Sequence, residues 1–345
     1  MDIKLSVMIP VYNTANYLEK CLKSVVVQSL KEIEIIVVND GSTDNSLEII
    51  QKFINQDKRI ILVNKENGGL TSARNAALKI ARGKYCLNID SDDYIENNYL
   101  EEMYNKAEKD KLDMVVSDII FSYKDNKKNK ILKDLDIKEE KIINGREYLK
   151  KFYTVNPYGY TWNKLIKTSL YRKNNLKYNE KIFMLEDTEL IGRLSFFCER
   201  IGKVNKAFYN YRQGENPSNL LSEKNLLDRS ICFDSLEKFY LEQANKEILE
   251  LFKRSKNLKI LRSILKKEYE LSENTKQIKK DFFNNLEKEK SILKFYRNDF
   301  KNKNYILIII FNILKFSQVL KNFLNIFNFK VRWKIIKFNK RKEDV

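Results

Sequence analysis

The sequence predicts an α/β protein with a mostly parallel, Rossmann-like sheet in its N-terminal part and a helical extension in its C-terminal part. Two observations support this prediction. Short apolar runs alternate with helical patterns through about the first 120 residues, which is typical of right-handed βαβ units. From about residue 222 the sequence becomes charged and helical, and it contains few turn-forming residues.

The apolar runs are predicted to be buried parallel strands, at Leu5–Pro10, Ile33–Val38, Ile60–Val63 and Tyr85–Ile89. The helical patterns between them cover Tyr17–Gln28, Ser46–Ile54 and Leu70–Ala81, and a further helix and the strand Leu112–Phe121 follow. In such sheets ligands bind at the carboxyl ends of the strands. The candidate site segments therefore come directly after strands, at Pro10–Asn13, Asn39–Asp44 and Asp90–Asp93.

The residue composition excludes several kinds of catalysis. The 345 residues include no histidine, which excludes Ser-His-Asp and Cys-His catalysis and His-ligated zinc. Chemistry must come from carboxylates, lysines, tyrosines or metals with oxygen ligands. The four cysteines form no CxxC pair and no leader-like segment precedes the first strand, so we expect a reduced, cytoplasmic protein.

The formal net charge of +18 is concentrated toward the C-terminus. Residues 1–100 contain 12 Lys/Arg and 13 Asp/Glu, whereas residues 291–345 contain 13 and 3. From Asn312 to Arg332, polar residues recur every three or four positions opposite Ile, Leu and Phe, which predicts a basic amphipathic helix.

The apolar run Tyr305–Phe311 is too short to span a bilayer. We therefore expect the tail to lie on an anionic membrane surface, at the inner face of the cell membrane. The alternative is a helix packed on the protein's own core. Long aliphatic residues among the basic ones favour lipid over nucleic acid, and no nucleic-acid partner is predicted.

Two glycine-containing segments are candidates for binding a nucleotide. After the second strand, Gly41 permits a sharp turn, and Asp40 either belongs to this turn or accepts hydrogen bonds from a base or ribose. Gly68 and Gly69 open the third helix, where backbone can approach an anion closely. Arg74, one turn inside that helix, either reaches a phosphate or base or is solvated.

The acidic segment Asp90-Ser91-Asp92-Asp93 is the sharpest candidate. Its three carboxylates repel one another unless a cation lies among them. A hard divalent ion, Mg²⁺ or Mn²⁺, takes one or two carboxylates and completes its shell with phosphates and water. The alternative is an acidic loop that caps the following helix.

A second acidic pair, Glu186-Asp187, lies far downstream. In a protein without histidine, Asp187 is a candidate general base for a hydroxyl acceptor. An acidic helix N-terminus explains the same residues equally well. Trp162 either stacks on a sugar or fills the core.

Together these segments resemble the bacterial family 2 glycosyltransferases with the GT-A fold, of the type that makes capsules and other surface polysaccharides. The resemblance extends over about residues 3–215. It is carried by Leu5–Asn13, Tyr17-Leu18, Cys21–Val25, Gln28-Ser29, Glu34–Asp44, Asn67–Asn75, Asp90–Asp93, Trp162–Leu165, Glu186-Asp187 and Tyr209–Arg212.

The resemblance implies roles for individual residues. Asp40 would contact uracil, Asp90 would approach the ribose and Asp92 would hold Mn²⁺ or Mg²⁺. Asp187 would be the catalytic base. The nucleotide pocket would also include Pro10, Tyr12, Asn13 and Arg74, and the acceptor side would include Trp162 and Glu186.

The implied function is inverting transfer of a hexosyl or N-acetylhexosaminyl group from a UDP-sugar to a hydroxyl of a glycan or lipid-linked acceptor. Processive relatives carry Gln-x-x-Arg-Trp. Here Phe329 replaces that glutamine before Arg332-Trp333, so we expect transfer of a single sugar. The alternatives are a catalytically silent, membrane-associated partner in glycan assembly and a nucleotidyltransferase.

The resemblance over the first part of the chain and the change in composition after it together predict the domain organisation. Residues 1–215 would form the GT-A domain, with a nucleotide-binding half at about 1–123 and an acceptor half at about 124–215. Residues 216–300 would form a helical region and residues 301–345 the basic amphipathic tail.

Overall fold

The computed structural model describes residues 2–123, 129–154, 159–213, 223–265 and 277. The chain divides into two units, Met1–Asn257 and Leu258–Val345. The predicted tail at 301–345 lies outside the described residues, as does the predicted boundary near residue 215. No helix within the described ranges is both long enough and apolar enough to span a bilayer.

The N-terminal half of the sheet is parallel. Its strands are β1 (Leu5–Val11), β2 (Ile33–Asp40), β3 (Ile60–Lys65) and β4 (Tyr85–Asn88), paired in the order β3-β2-β1-β4. The connecting helices are α1 (Ala15–Val26), α2 (Ser46–Gln56) and α3 (Leu70–Ile80). These elements confirm the predicted strands and helices, with ends displaced by no more than two residues.

The rest of the sheet is mixed. Its elements are β5 (Tyr94–Ile95), α4 (Tyr99–Lys109), β6 (Met114–Tyr123), β7 (Lys130–Leu132), α5 (Gly145–Thr154), β8 (Lys164–Lys167), α6 (Thr168–Lys173), α7 (Glu186–Phe196) and β9 (Ile201–Gln213). β8 lies between β4 and β6 and is antiparallel to both. β9 is parallel to β6 and antiparallel to β5. The prediction of a parallel sheet therefore holds for β1–β4, and the later strands are mixed because β8 enters beside β4 in the reverse direction.

One hydrophobic core runs through both halves of this sheet. Every residue of β1 and β2 is buried, as expected for strands covered on both faces. α1 contributes Leu18, Cys21, Leu22 and Val25, spaced as one helical face. The same core includes Val115 of β6 and Tyr209 of β9. This shared core fixes the strand ends relative to one another, and the site lies at those ends.

Two helices follow the sheet, α8 (Glu223–Glu242) and α9 (Lys246–Leu265). They agree with the predicted helical character of this region. α8 packs on α7, where the Tyr240 hydroxyl donates to the Gly192 carbonyl at 2.8 Å. A Cβ at Gly192 would lie 2.7 Å from Leu236 Cδ2, so a larger residue there would require the Leu236 side chain to move.

Candidate active site

Asp40, the last residue of β2, binds the glycine pair at the start of α3. The carboxylate is 2% exposed and accepts hydrogen bonds from the amides of Gly68 and Gly69, at 3.0 and 2.7 Å. Lys65 donates to the same carboxylate at 2.5 Å. Gly69 has φ +86°, a conformation that L side chains rarely adopt. Asp40 thus holds the glycine pair in place at the start of α3, and its predicted contact with uracil stays a prediction.

The end of β1 lies beside this loop. Pro10 is a buried strand residue opposite Val38. Asn13 has φ 51° and accepts a hydrogen bond from the Thr43 amide at 2.8 Å, so it ties the loops after β1 and β2 together. Tyr12 is 51% exposed. These positions give an exposed aromatic ring beside a rigid polar loop, an arrangement suited to stacking a base.

The centre of the site is the guanidinium group of Arg74, which is 1% exposed. Its Nη2 donates to Asp90 at 2.8 Å. Its Nη1 donates to Glu186 at 2.9 Å and to Asp187 at 2.8 Å. Three carboxylates from the end of β4 and the start of α7 thus share one buried cation. The structure brings together predicted nucleotide and base residues that are 113 positions apart in the chain.

Burial changes the ionisation of the two α7 carboxylates. It raises the pKa of Glu186 to about 7, and the neighbouring charge of Asp187 adds to this rise. Burial also raises the pKa of Asp187, while Arg74 opposes the rise. A carboxylate whose pKa lies closer to neutral than usual is a better proton acceptor near neutral pH. The role of Asp187 as a general base stays a prediction.

The acids after β4 have different environments. Asp93 is fully buried and accepts hydrogen bonds from the Tyr209 hydroxyl at 2.8 Å and the Arg212 amide at 2.7 Å. Asp90 is paired with Arg74. Within the described ranges the Asp92 carboxylate forms no ion pair and receives no hydrogen bond from another residue, and only its own backbone amide donates to it. Burial, followed by the charge of Asp90, raises the pKa of Asp92 to about 6.

The donor set at this loop fits a divalent cation of the predicted kind. The described residues contain no group of three or more metal-ligating side chains. Mg²⁺ and Mn²⁺ do not require one, because one or two carboxylates suffice when substrate phosphates complete the shell. Of the three carboxylates in this loop, Asp92 is the one that receives no hydrogen bond from another residue in the part of the chain described.

Comparisons with known proteins identify the family to which this sequence is similar. Residues 6–174 match the sequence model of the family described as Glycosyl transferase family 2. EpsH of Bacillus subtilis (strain 168), a putative glycosyltransferase, is 31% identical over 245 residues, which cover 70% of this chain and 70% of EpsH. The chain belongs to glycosyl transferase family 2.

Two other relatives align with smaller shares of this chain than EpsH does. GlyA of Streptococcus pneumoniae serotype 4 is 35% identical over 223 residues, which are 61% of this chain and 31% of GlyA. The chain thus spans about a third of the length of GlyA, and it spans 62% of EpsJ of Bacillus subtilis.

A solved structure shows the same fold. Residues 1–349 of TarS from S. aureus, in complex with UDP-GlcNAc, align at a TM-score of 0.59 and 25% identity, covering 73% of this chain and 72% of that one. The fold of this family 2 glycosyltransferase is therefore GT-A, as the sequence predicts.

Trp162 lies in an aromatic stack and is 2% exposed. Its ring stacks on Tyr209 at 4.3 Å, on Tyr160 at 4.6 Å and on Tyr211 at 5.2 Å between centroids. Of the two interpretations of this residue, the structure shows the core-filling one. A contact between Trp162 and an acceptor stays a prediction.

Several residues of the site escaped the sequence analysis. Thr161 donates to both carboxylate oxygens of Asp187. Tyr209 and Arg212 hold Asp93, although the sequence analysis includes both in the resemblance without a role. The position of Thr161 directly before the Trp162 motif is the one local signal that could have drawn attention to it.

Proposed function

We propose that this protein is an inverting glycosyltransferase that moves one sugar from a UDP-sugar to a hydroxyl of a glycan or lipid-linked acceptor in surface polysaccharide synthesis. The observation that carries the proposal is the convergence of Asp90, Glu186 and Asp187 on Arg74. This convergence puts the predicted ribose contact and the predicted base on one buried group. The fold shared with the UDP-GlcNAc complex of TarS supports a UDP-sugar donor.

In this mechanism Asp187 accepts the proton of the acceptor hydroxyl. As the proton leaves, the acceptor oxygen forms a bond to the anomeric carbon, and the bond from that carbon to the diphosphate oxygen breaks. UDP departs with the bonding electrons. Attack from the face opposite UDP in a single displacement inverts the configuration. Asp187 suits this task because Arg74 fixes it and because burial raises its pKa.

Mn²⁺ or Mg²⁺ would be held by Asp92 together with the donor diphosphate. When bound, such a cation supplies positive charge that stabilises the diphosphate as it leaves. The chain itself orients Asp92 through its backbone, since Arg212 Nε donates to the Asp92 carbonyl at 2.7 Å. Arg212 also lies over the Tyr17 ring at 4.9 Å and the Tyr94 ring at 5.6 Å, which fixes its guanidinium.

The acceptor class is suggested by named relatives. The poly(ribitol-phosphate) beta-glucosyltransferase of Bacillus spizizenii is 31% identical over 193 residues. The cholesterol galactosyltransferase of Borreliella burgdorferi is 33% identical over 230 residues. One name specifies a polymer acceptor and the other a lipid, so both acceptor classes belong in the test. Cytoplasmic location at the inner membrane face, through residues 301–345, remains part of the proposal.

The experiment that tests the proposal measures UDP release from a panel of UDP-sugars, with GDP-mannose as the nucleotide control. Each donor is assayed with Mn²⁺, with Mg²⁺ and with EDTA. We expect release from at least one UDP-sugar, abolished by EDTA, and an anomeric product of opposite configuration by NMR. Equal release with EDTA would contradict the metal assignment, and a product of retained configuration would contradict the single displacement. Absence of release from every UDP-sugar, with polymer and lipid acceptors present, would favour the catalytically silent partner.

A further inference from the structure

Thr161 holds both oxygens of the Asp187 carboxylate. Its backbone amide donates to Oδ2 at 3.1 Å, and its side-chain hydroxyl donates to Oδ1 at 2.8 Å. Oδ1 also accepts a hydrogen bond from Arg74. Within the described residues Oδ2 accepts only the Thr161 amide, so one of its lone pairs is left for an incoming proton. One residue thus fixes the rotation of the carboxylate and leaves one position on it open.

The Thr161 hydroxyl is itself oriented by two buried side chains. The Tyr178 hydroxyl donates to Thr161 Oγ1 at 3.1 Å, and Asn88 Nδ2 donates to the Tyr178 hydroxyl at 2.8 Å. Burial raises the pKa of Tyr178, so its hydroxyl stays protonated and able to donate. Each hydroxyl in this chain accepts one hydrogen bond and donates the next. The chain starts at Asn88, the last residue of β4, and its only consistent direction ends on the carboxylate.

The segment that carries Thr161 is held in place by contacts of the three residues that follow it. Asn163 Nδ2 donates to the Ser117 carbonyl and to Asp134, both at 2.8 Å. Lys164 is fully buried, pairs with Asp134 at 2.9 Å and donates to the Tyr160 carbonyl at 2.8 Å. Trp162 is fixed by its aromatic stack. These contacts hold the residues on both sides of Thr161, so its donors cannot follow Asp187 if that side chain rotates.

We propose that Thr161 is the positioning residue of the catalytic base, and that the Trp162-Asn163-Lys164 motif serves to anchor it. The inference rests on the proposed function, because it takes Asp187 to be the base. Thr161 aims the open lone pair of Oδ2, and Tyr178 and Asn88 set the direction of the Thr161 hydroxyl. Asn88, at the end of β4, thus helps to position the base through this chain of hydrogen bonds. Asp90, two residues after Asn88, pairs with Arg74.

Removing the hydroxyl should also change the ionisation of Asp187. Both Thr161 donors favour the charged carboxylate, so deleting one raises the pKa of Asp187. A base with a raised pKa loses its charge at higher pH, and the acid limb of the rate profile should move upward. Other charged or titratable groups also influence the Asp187 carboxylate. They are Arg74 of α3, Asp90 of the loop after β4, Tyr171 of α6, Tyr178 of the segment after α6, and Glu186 of α7.

The test compares Thr161→Val with Thr161→Ser in the full-length protein. Valine keeps the shape and the backbone amide but removes the hydroxyl, whereas serine keeps the hydroxyl. Thr168→Val is the matched control, because it deletes a buried hydroxyl that donates to no carboxylate in the described structure. The assays are UDP release from UDP-GlcNAc with Mn²⁺ across pH, UDP binding by calorimetry, and a ¹³C-carboxyl NMR titration in which Asp187→Asn identifies the Asp187 signal.

We expect Thr161→Val to slow UDP release about 10- to 100-fold at unchanged UDP affinity, the size expected for a hydrogen bond to a charged group. Its acid limb and the Asp187 signal should both titrate at higher pH than in wild type. Thr161→Ser should restore most of the rate, and Thr168→Val should keep the wild-type profile.

Two results would separate failure of this inference from failure of the proposed function. If Asp187→Asn is inactive while Thr161→Val keeps the wild-type rate and titration, Asp187 stands as the base and the positioning role of Thr161 is wrong. If Asp187→Asn releases UDP as fast as wild type, the proposed base is wrong. In that case a raised pKa of Asp187 in Thr161→Val would still show that Thr161 controls this carboxylate.

Discussion

The two acidic clusters of the site are neutralised in opposite ways. Glu186 and Asp187 at the start of α7 are closed by Arg74, a cation that the protein supplies from its own interior. At the end of β4, Asp93 accepts hydrogen bonds from Tyr209 and Arg212, whereas no other described residue donates to the Asp92 carboxylate. Under the proposed function, the protein supplies the positive charge where a proton is taken, and the bound metal supplies it where the diphosphate of the donor is held.

The largest effect should come from removing the cation of the first cluster. Arg74→Met leaves three carboxylates without their shared partner. Loss of one side of a buried ion pair destabilises a protein by about 3–5 kcal/mol, and urea unfolding measures this directly. The control is Arg146→Met, since Arg146 pairs with Glu247 at the surface, where about 0–1 kcal/mol is expected. Equal losses of unfolding free energy in the two variants would show that the buried ion pairs of Arg74 stabilise the protein no more than a surface ion pair does.

Replacing the base should separate chemistry from binding. Asp187→Asn keeps the size of the side chain and removes its ability to take a proton. We expect sugar transfer to fall about 10²- to 10⁴-fold, the usual contribution of general base catalysis. UDP affinity should stay close to that of wild type. A parallel loss of UDP binding would show that Asp187 contributes to binding the donor instead of to proton transfer alone.

A substitution in the acidic cluster after β4 should change the affinity for UDP. Asp92→Asn should weaken Mn²⁺-dependent UDP affinity by at least about 10-fold, because even residues that only support a metal ligand are worth that much. In wild type, UDP at about 100 times its Kd should add about 2.7 kcal/mol of stability in Mn²⁺. Thermal unfolding with UDP, with and without Mn²⁺, measures both. A full Mn²⁺-dependent shift in the variant would rule out Asp92 as the metal ligand.

The smallest expected effect is on pH dependence. The pKa of Glu186 in the folded protein, about 7, lies above its ordinary value of 4.5. The folded state therefore binds this proton more tightly, and the resulting stability is complete below pH 4.5 and is lost as pH rises through 7. Between pH 5 and pH 8 wild type should lose about 1–3 kcal/mol more than Glu186→Gln.

Urea unfolding at the two pH values measures this difference. Glu48→Gln, on the exposed face of α2, is the control and should follow wild type. Identical pH dependence in wild type and Glu186→Gln would show that Glu186 is ionised as freely as a surface carboxylate.

The parts of the fold that could be predicted are those whose signals are local. β1–β4 are continuous apolar runs, and the glycine-containing turns follow them directly in the sequence. The position of β8 could not be predicted in this way. It pairs with β4 although Lys167 and Tyr85 are far apart in the chain, and no periodicity records such a pairing.

The sequence by itself determined the parallel half of the sheet, the acids at its carboxyl edge and, through the order of its motifs, the family. Only the tertiary structure decided what each side chain does there. It turned Asp40 inward onto a glycine loop and stacked Trp162 in the core. It also placed Arg74 and Thr161 on one carboxylate, from different parts of the chain. The physical reason is that strand formation depends on neighbouring residues, whereas hydrogen bonds and ion pairs depend on which distant segments the core brings into contact.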